Sequence, residues 1–177
     1  MEKALKRHSL LWKGNMAKIM HGFERNICAC DDCKSACRHM SGMCAVQDII
    51  QWQAQHGETF NAWALIHLAA SPGALILRNG AIERLHTIVP ARLPTGGCHW
   101  LTRQEMCAIH DDAPYGCAFF SFHLSTSEGN QRSYAVLSDI AYDSAIGGPY
   151  SMLWLALDAA GKAVEAPEVA RQRLRHP

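Results

Sequence analysis

The chain has 177 residues, 49% hydrophobic and 19% charged, a composition that builds a folded core and excludes extensive disorder. Its 17 basic and 16 acidic residues leave a formal net charge of +1, which excludes a strong long-range field for DNA, RNA or anionic lipid. The length suits one domain, and eight cysteines are its most unusual feature.

Residues 3–24 set Leu5, Leu10, Ile19, Met20 and Phe23 among lysines and arginines at near-helical spacing. This predicts one or two short amphipathic helices broken near Gly14-Asn15. The apolar run Leu10-Leu11-Trp12 is too short for the core of a signal peptide, and no stretch is apolar for long enough to cross a bilayer. The expectation is a cytoplasmic protein with no membrane partner. Thiols stay reduced in that compartment, so clustered cysteines favour metal over disulfides.

Cys28-Ala-Cys-Asp-Asp-Cys-Lys-Ser-Ala-Cys37 follows. If the segment is helical, the three- and four-residue steps between Cys30, Cys33 and Cys37 put these sulfurs on one face, with Cys28 reaching in from the preceding loop. Residues 46–55 read as a helix stopped by Gly57. Thr59 is expected to cap a helix over residues 60–70, terminated by Pro72-Gly73, with Phe60, Trp63 and His67 on its core face.

Residues 74–78 and 81–89 flank Asn79-Gly80, the strongest short-range signal for a β-hairpin. Pro90, Pro94, Gly96 and Gly97 then form a loop that delivers Cys98. Residues 98–117 are too few and too polar for a core of their own, which makes metal ligation an expected source of their order. Residues 125–130 read as a loop. Residues 131–142 and 149–161 read as two helices separated by Gly147-Gly148-Pro149. The tail, with Arg171, Arg173 and Arg175, reads as a frayed basic helix or no structure.

A soft ion such as zinc, or an iron–sulfur centre, needs sulfur donors from more than one backbone segment. The early run and the late one, with Cys98, Cys107 and Cys117, are therefore read as halves of one metal core. Tetrahedral zinc saturates at four ligands, so the thiols exceed one simple site. Two zinc ions with or without shared sulfurs, one centre with spare thiols, or a polynuclear iron–sulfur cluster all remain open. Lys34, Arg38 and Arg103 are placed to offset thiolate charge. His39, His99, His110, His123 and Cys44 are candidate further ligands or neighbours of the ligands.

The run Cys98-His-Trp-Leu-Thr-Arg-Gln-Glu-Met-Cys107-Ala-Ile-His-Asp-Asp-Ala-Pro-Tyr-Gly-Cys117-Ala-Phe-Phe120 resembles the second half of the YkgJ-type cysteine-cluster family, described as a zinc- or iron-chelating domain. The family pattern C-x8-C-x9-C is present, with Trp100-Leu101, Ile109-His110 and Pro114 at its accompanying positions. The upstream group is C-x-C-x2-C-x3-C where the family often has C-x2-C-x2-C-C, and Ala113 stands where an arginine is usual. The resemblance spans residues 28–120. It implies metal chelation by Cys28, Cys30, Cys33, Cys37, Cys98, Cys107 and Cys117, and implies no established reaction.

The fold expected is mostly α with a small β-hairpin, an α+β single domain over residues 1–177. Its metal core covers residues 28–120, with helical segments 1–27 and 131–177 packed on it. The function expected is a cysteine-cluster protein binding zinc, or in the alternative iron or an iron–sulfur cluster, in a structural or metal-handling centre. A second reading is a metal- or iron–sulfur-dependent enzyme of methyl transfer or redox type, by analogy with flagellin lysine methylases. His110, Asp111 and Asp112 would then be its first acid–base candidates. A third is a module docking on a protein partner through Trp12, Trp52 or Trp154.

Overall fold

The computed structural model describes residues 23, 30–39, 41–78, 80–120 and 123–165. The helices expected over residues 3–24, except Phe23, lie outside the described residues, as do Cys28, Trp12 and the arginine-bearing tail. Cys33 belongs to a described helix, but its side chain is outside the description.

Helix α1, Asp31–His39, carries Asp31 and Asp32 in its first turn and Arg38 and His39 in its last, which suits the helix dipole at both ends. The Lys34 N–H donates to the Cys30 carbonyl at 3.0 Å, so Cys30 opens the helix. Helix α2, Val46–His56, buries Val46, Ile49 and Trp52 and stops at Gly57, whose φ of 52° is easy for glycine. One Asp48 oxygen accepts from the N–H of Ala45 at 2.7 Å and of Tyr115 at 2.8 Å, tying the start of α2 to the late cysteine segment.

A single 3-10 turn, Gly57–Thr59, leads into α3, Phe60–His67. Thr59 does not cap it. Its backbone is already helical, and its hydroxyl donates back to the His56 carbonyl at 2.8 Å instead. The expected extension to residue 70 is also corrected. The chain passes from His67 directly into strand β1, Leu68–Arg78, and Pro72-Gly73 lies within that strand. The register slips between Ser71 and Ala74 there, a bulge that accommodates a proline with no N–H.

Gly73 has φ of 77°, and a Cβ on it would collide with the Leu85 carbonyl across the hairpin. Strand β2, Ala81–Pro90, pairs antiparallel with β1 from Leu68↔Pro90 to Arg78↔Ala81. Its tip is exposed, while Leu85 and residues 87–90 are buried.

After the short helix α4, Tyr115–Ala118, the chain enters α5, Thr126–Ile146, which corrects the loop expected at residues 125–130. Ser125 caps this helix, its hydroxyl accepting from the Glu128 N–H at 3.2 Å. Gly147, left-handed at φ 64°, ends it. Helix α6, Pro149–Ala159, begins with proline at its first position, and Asp143 accepts from the N–H groups of Tyr150 and Ser151. Ala163 then bridges in parallel to Ala70.

The helices pack on the buried base of a two-stranded hairpin, the α+β arrangement the sequence implied. Ile49, Phe60, Leu68, Ile88, Val136, Ile140 and Leu157 fill the core. Tyr150 is fully buried at its centre and fully satisfied: its hydroxyl accepts from the Ile88 N–H at 2.7 Å and donates to the Cys44 carbonyl at 3.0 Å.

Two of the tryptophans considered as docking residues are committed inside the fold. Trp52 is buried, and Trp154 donates its indole N–H to the Ser71 carbonyl at 2.8 Å while stacking on His86. Among the described residues no helix is long and apolar enough to cross a membrane.

Candidate metal centre

The early and late cysteine runs meet through the backbone: the Cys98 N–H donates to the Cys37 carbonyl at 2.7 Å. Cys37 stands in the last turn of α1, and Cys98 and Cys107 stand in a loop of two small closed turns. Bridges between Arg92 and Cys98 and between Leu101 and Cys107 close these turns. Within the second turn, Glu105 takes φ of 60°, the only non-glycine among the described residues with positive φ.

Cys117 arrives on α4 through a close backbone approach. The Gly116 N–H donates to the Met43 carbonyl at 2.7 Å, and a Cβ on Gly42 would overlap the backbone of Gly116. The Cys117 thiol is itself 3.9 Å from the Gly42 carbonyl.

Charge links these four sulfurs. The Cys98 thiol is pushed up from 9.0 to about 11, chiefly by burial and to a lesser extent by Cys37 and Cys107, against a Trp100 backbone hydrogen bond and Arg92, which favour the thiolate. Burial likewise raises Cys117, reinforced by Cys37, Cys98 and Cys107. Each thiolate that forms therefore opposes the next, and a divalent cation would relieve that opposition.

Arg92 is the side-chain cation that acts on Cys98. Sequence reading passed over it, although the turn signals Pro94, Gly96 and Gly97 between Arg92 and Cys98 could have revealed the pairing. The three cations expected to offset the sulfurs are differently engaged. Arg38 forms a forked pair with Glu105, Nε to Oε1 at 2.9 Å and Nη2 to Oε2 at 2.5 Å, which lowers the Glu105 carboxyl. Lys34 also acts on Glu105, and Arg103 is exposed. The Arg38–Glu105 pair joins α1 to the second turn of the cysteine loop.

Cys30 lies with its sulfur 3.4 Å from His123 Nε2. Cys44 is fully buried within the hydrophobic core, and burial pushes its thiol well up. His99 sits edge-on to His67 at 4.9 Å between ring centres, while His39 and His110 are exposed. His110 and Asp112 lie on a 3-10 turn, His110–Asp112, leading to Pro114.

Cys30, Cys37, Cys44, Cys98, Cys107 and Cys117 form no disulfide with one another. Among the described residues, no three His, Cys, Asp or Glu side chains are grouped so as to hold a metal ion. Cys37, Cys98, Cys107 and Cys117 nonetheless reach this region from three segments, and thiolates are the donors a soft metal takes. Ligation would require these thiols to lose their protons and draw together. Comparison of the chain with protein-family models, with curated proteins and with solved structures returned no match.

Proposed function

We propose that this is a metal-binding protein of the cysteine-cluster kind, in which Cys37, Cys98, Cys107 and Cys117 hold one ion, zinc in the first instance, in a structural or metal-handling centre. One observation carries the reading: the backbone brings the early and late cysteine runs together, the Cys98 N–H donating to the Cys37 carbonyl at 2.7 Å, the Leu101–Cys107 bridge closing the loop that carries Cys98 and Cys107, and the Cys117 thiol lying 3.9 Å from the Gly42 carbonyl. Four thiolates complete tetrahedral zinc and leave no position for substrate, which favours a structural or metal-handling role over catalysis. Iron or an iron–sulfur cluster is the alternative occupant of the same sulfurs.

The test is metal content together with a visible absorption spectrum on protein purified without oxygen. Zinc in a colourless sample supports the main reading, and a brown sample supports the iron–sulfur occupant. Loss of the metal from both Cys37→Ser and Cys107→Ser, with far-ultraviolet circular dichroism preserved, is the expected result. Retention of the metal by both variants contradicts the proposal.

A further inference from the structure

The early cysteine group does not act as one unit. Cys30 opens α1 and Cys37 stands seven positions further along the same helix, an axial separation of about 10 Å at 1.5 Å per residue. Two sulfurs on one tetrahedral zinc lie only about 3.8 Å apart, and leaning cysteine side chains cannot close the difference. An ion held by Cys37 is therefore out of reach of Cys30.

The Cys30 sulfur meets an imidazole instead, at 3.4 Å from Nε2 of His123, a residue 93 positions away in the chain. Zinc bonds of about 2.3 Å to sulfur and about 2.0 Å to nitrogen place such a pair about 3.5 Å apart in tetrahedral geometry, so the observed spacing matches two ligands of one ion. The surroundings favour it as well. Cys30 precedes the Asp31 and Asp32 carboxylates of the first turn of α1, whose charge suits a cation nearby, and His123 is exposed, so an ion has access from solvent. His123 lies two residues before Ser125, the cap of α5.

We infer that Cys30 and His123 are two ligands of a second divalent soft metal ion, separate from the four-cysteine centre. The inference rests on the metal-binding reading but uses none of the four sulfurs assigned there. It also accounts for a thiol inventory larger than one tetrahedral ion can use.

A plain thiol–imidazole hydrogen bond has the same length, and metal stoichiometry separates the two. The full chain, stripped of metal and reloaded with zinc, is expected to retain about two ions after desalting. His123→Ala is expected to retain about one, and Cys98→Ser to lose the other. A His123→Ala protein that binds as much zinc as wild type overturns the second site and leaves the four-cysteine centre standing. A Cys98→Ser protein that does so overturns the four-cysteine centre and leaves the second site standing. A wild-type chain that takes up no zinc overturns both.

If His123→Ala fails to fold, His123→Cys loaded with cobalt decides the matter. A ligand replaced by a ligand keeps the ion and adds sulfur-to-cobalt charge-transfer absorption. A spectrum identical to wild type overturns the assignment.

Discussion

Tyr150 and Cys98 belong to halves of the chain that are built differently. Around Tyr150, the base of the hairpin, α2, α5 and α6 bury Ile49, Ile88, Ile140 and Leu157 in continuous apolar contact, with the one central hydroxyl doubly satisfied. Around Cys98, no described side chain of α1 is buried, and among the described side chains of residues 91–113 only Cys98 and Trp100 are. Backbone hydrogen bonds across small turns and the Arg38–Glu105 fork link the segments there. The first half derives its stability from apolar burial, which no ion alters. The second joins that core through Cys98 and Trp100 while Leu101, Ile109 and Ala113 are only partly buried against it, and metal ligation would add to what burial supplies.

The largest single-residue effect belongs to the apolar half. Leu157 is fully buried, and Leu157→Ala is expected to cost about 2–5 kcal/mol in denaturant unfolding, by the same amount with and without zinc. A loss that disappears on metal loading would erase the distinction between the halves.

Alkaline pH probes the cysteine half on a similar scale. In metal-free protein the Cys98 thiol is raised from 9.0 to about 11, so above pH 9 the unfolded chain sheds a proton that the folded chain retains. This contribution is fully present below pH 9 and is lost as pH rises through about 11, costing about 3 kcal/mol. Cys98→Ala should flatten that part of the stability–pH curve. An equally steep curve in the variant would mean that another group carries the dependence.

Tyr150→Phe leaves the Ile88 N–H and the Cys44 carbonyl without their partner and should lower stability by about 1–3 kcal/mol, again independently of metal. The smallest effect expected is that of Arg38→Ala. Its ion pair is partly exposed, so the unfolding midpoint should not move measurably, while zinc should pass faster to a competing chelator because α1 is released from the second turn. A large midpoint shift with unchanged exchange would assign the pair to global stability instead.

The two halves also differ in how far the sequence disclosed them. Gly57 stopping α2, the hairpin arms around Asn79-Gly80 and the break at Gly147-Gly148-Pro149 were readable because each rests on local backbone chemistry. Pro72-Gly73 misled because the same dipeptide ends a helix or forms a strand bulge, and the choice depends on the partner strand. The serines and glycine of residues 125–130 suggest a loop, although Ser125 followed three residues later by Glu128 is a helix-start signal.

At the site, the cysteine spacing identified the candidate donors. It could not indicate that the Cys30 sulfur lies against His123, because that contact spans 93 residues. The effect of Arg92 on Cys98 likewise depends on a turn bringing the two strands of the loop together.

X-ray absorption at the zinc edge of the loaded protein tests most directly whether sulfurs from distant segments grip one ion. In the His123→Ala background, which isolates the four-cysteine centre, the account predicts a shell of sulfur alone at about 2.3 Å, diminished equally by Cys37→Ser and by Cys107→Ser. A first shell of nitrogen and oxygen near 2.0 Å, unchanged by either substitution, would contradict it.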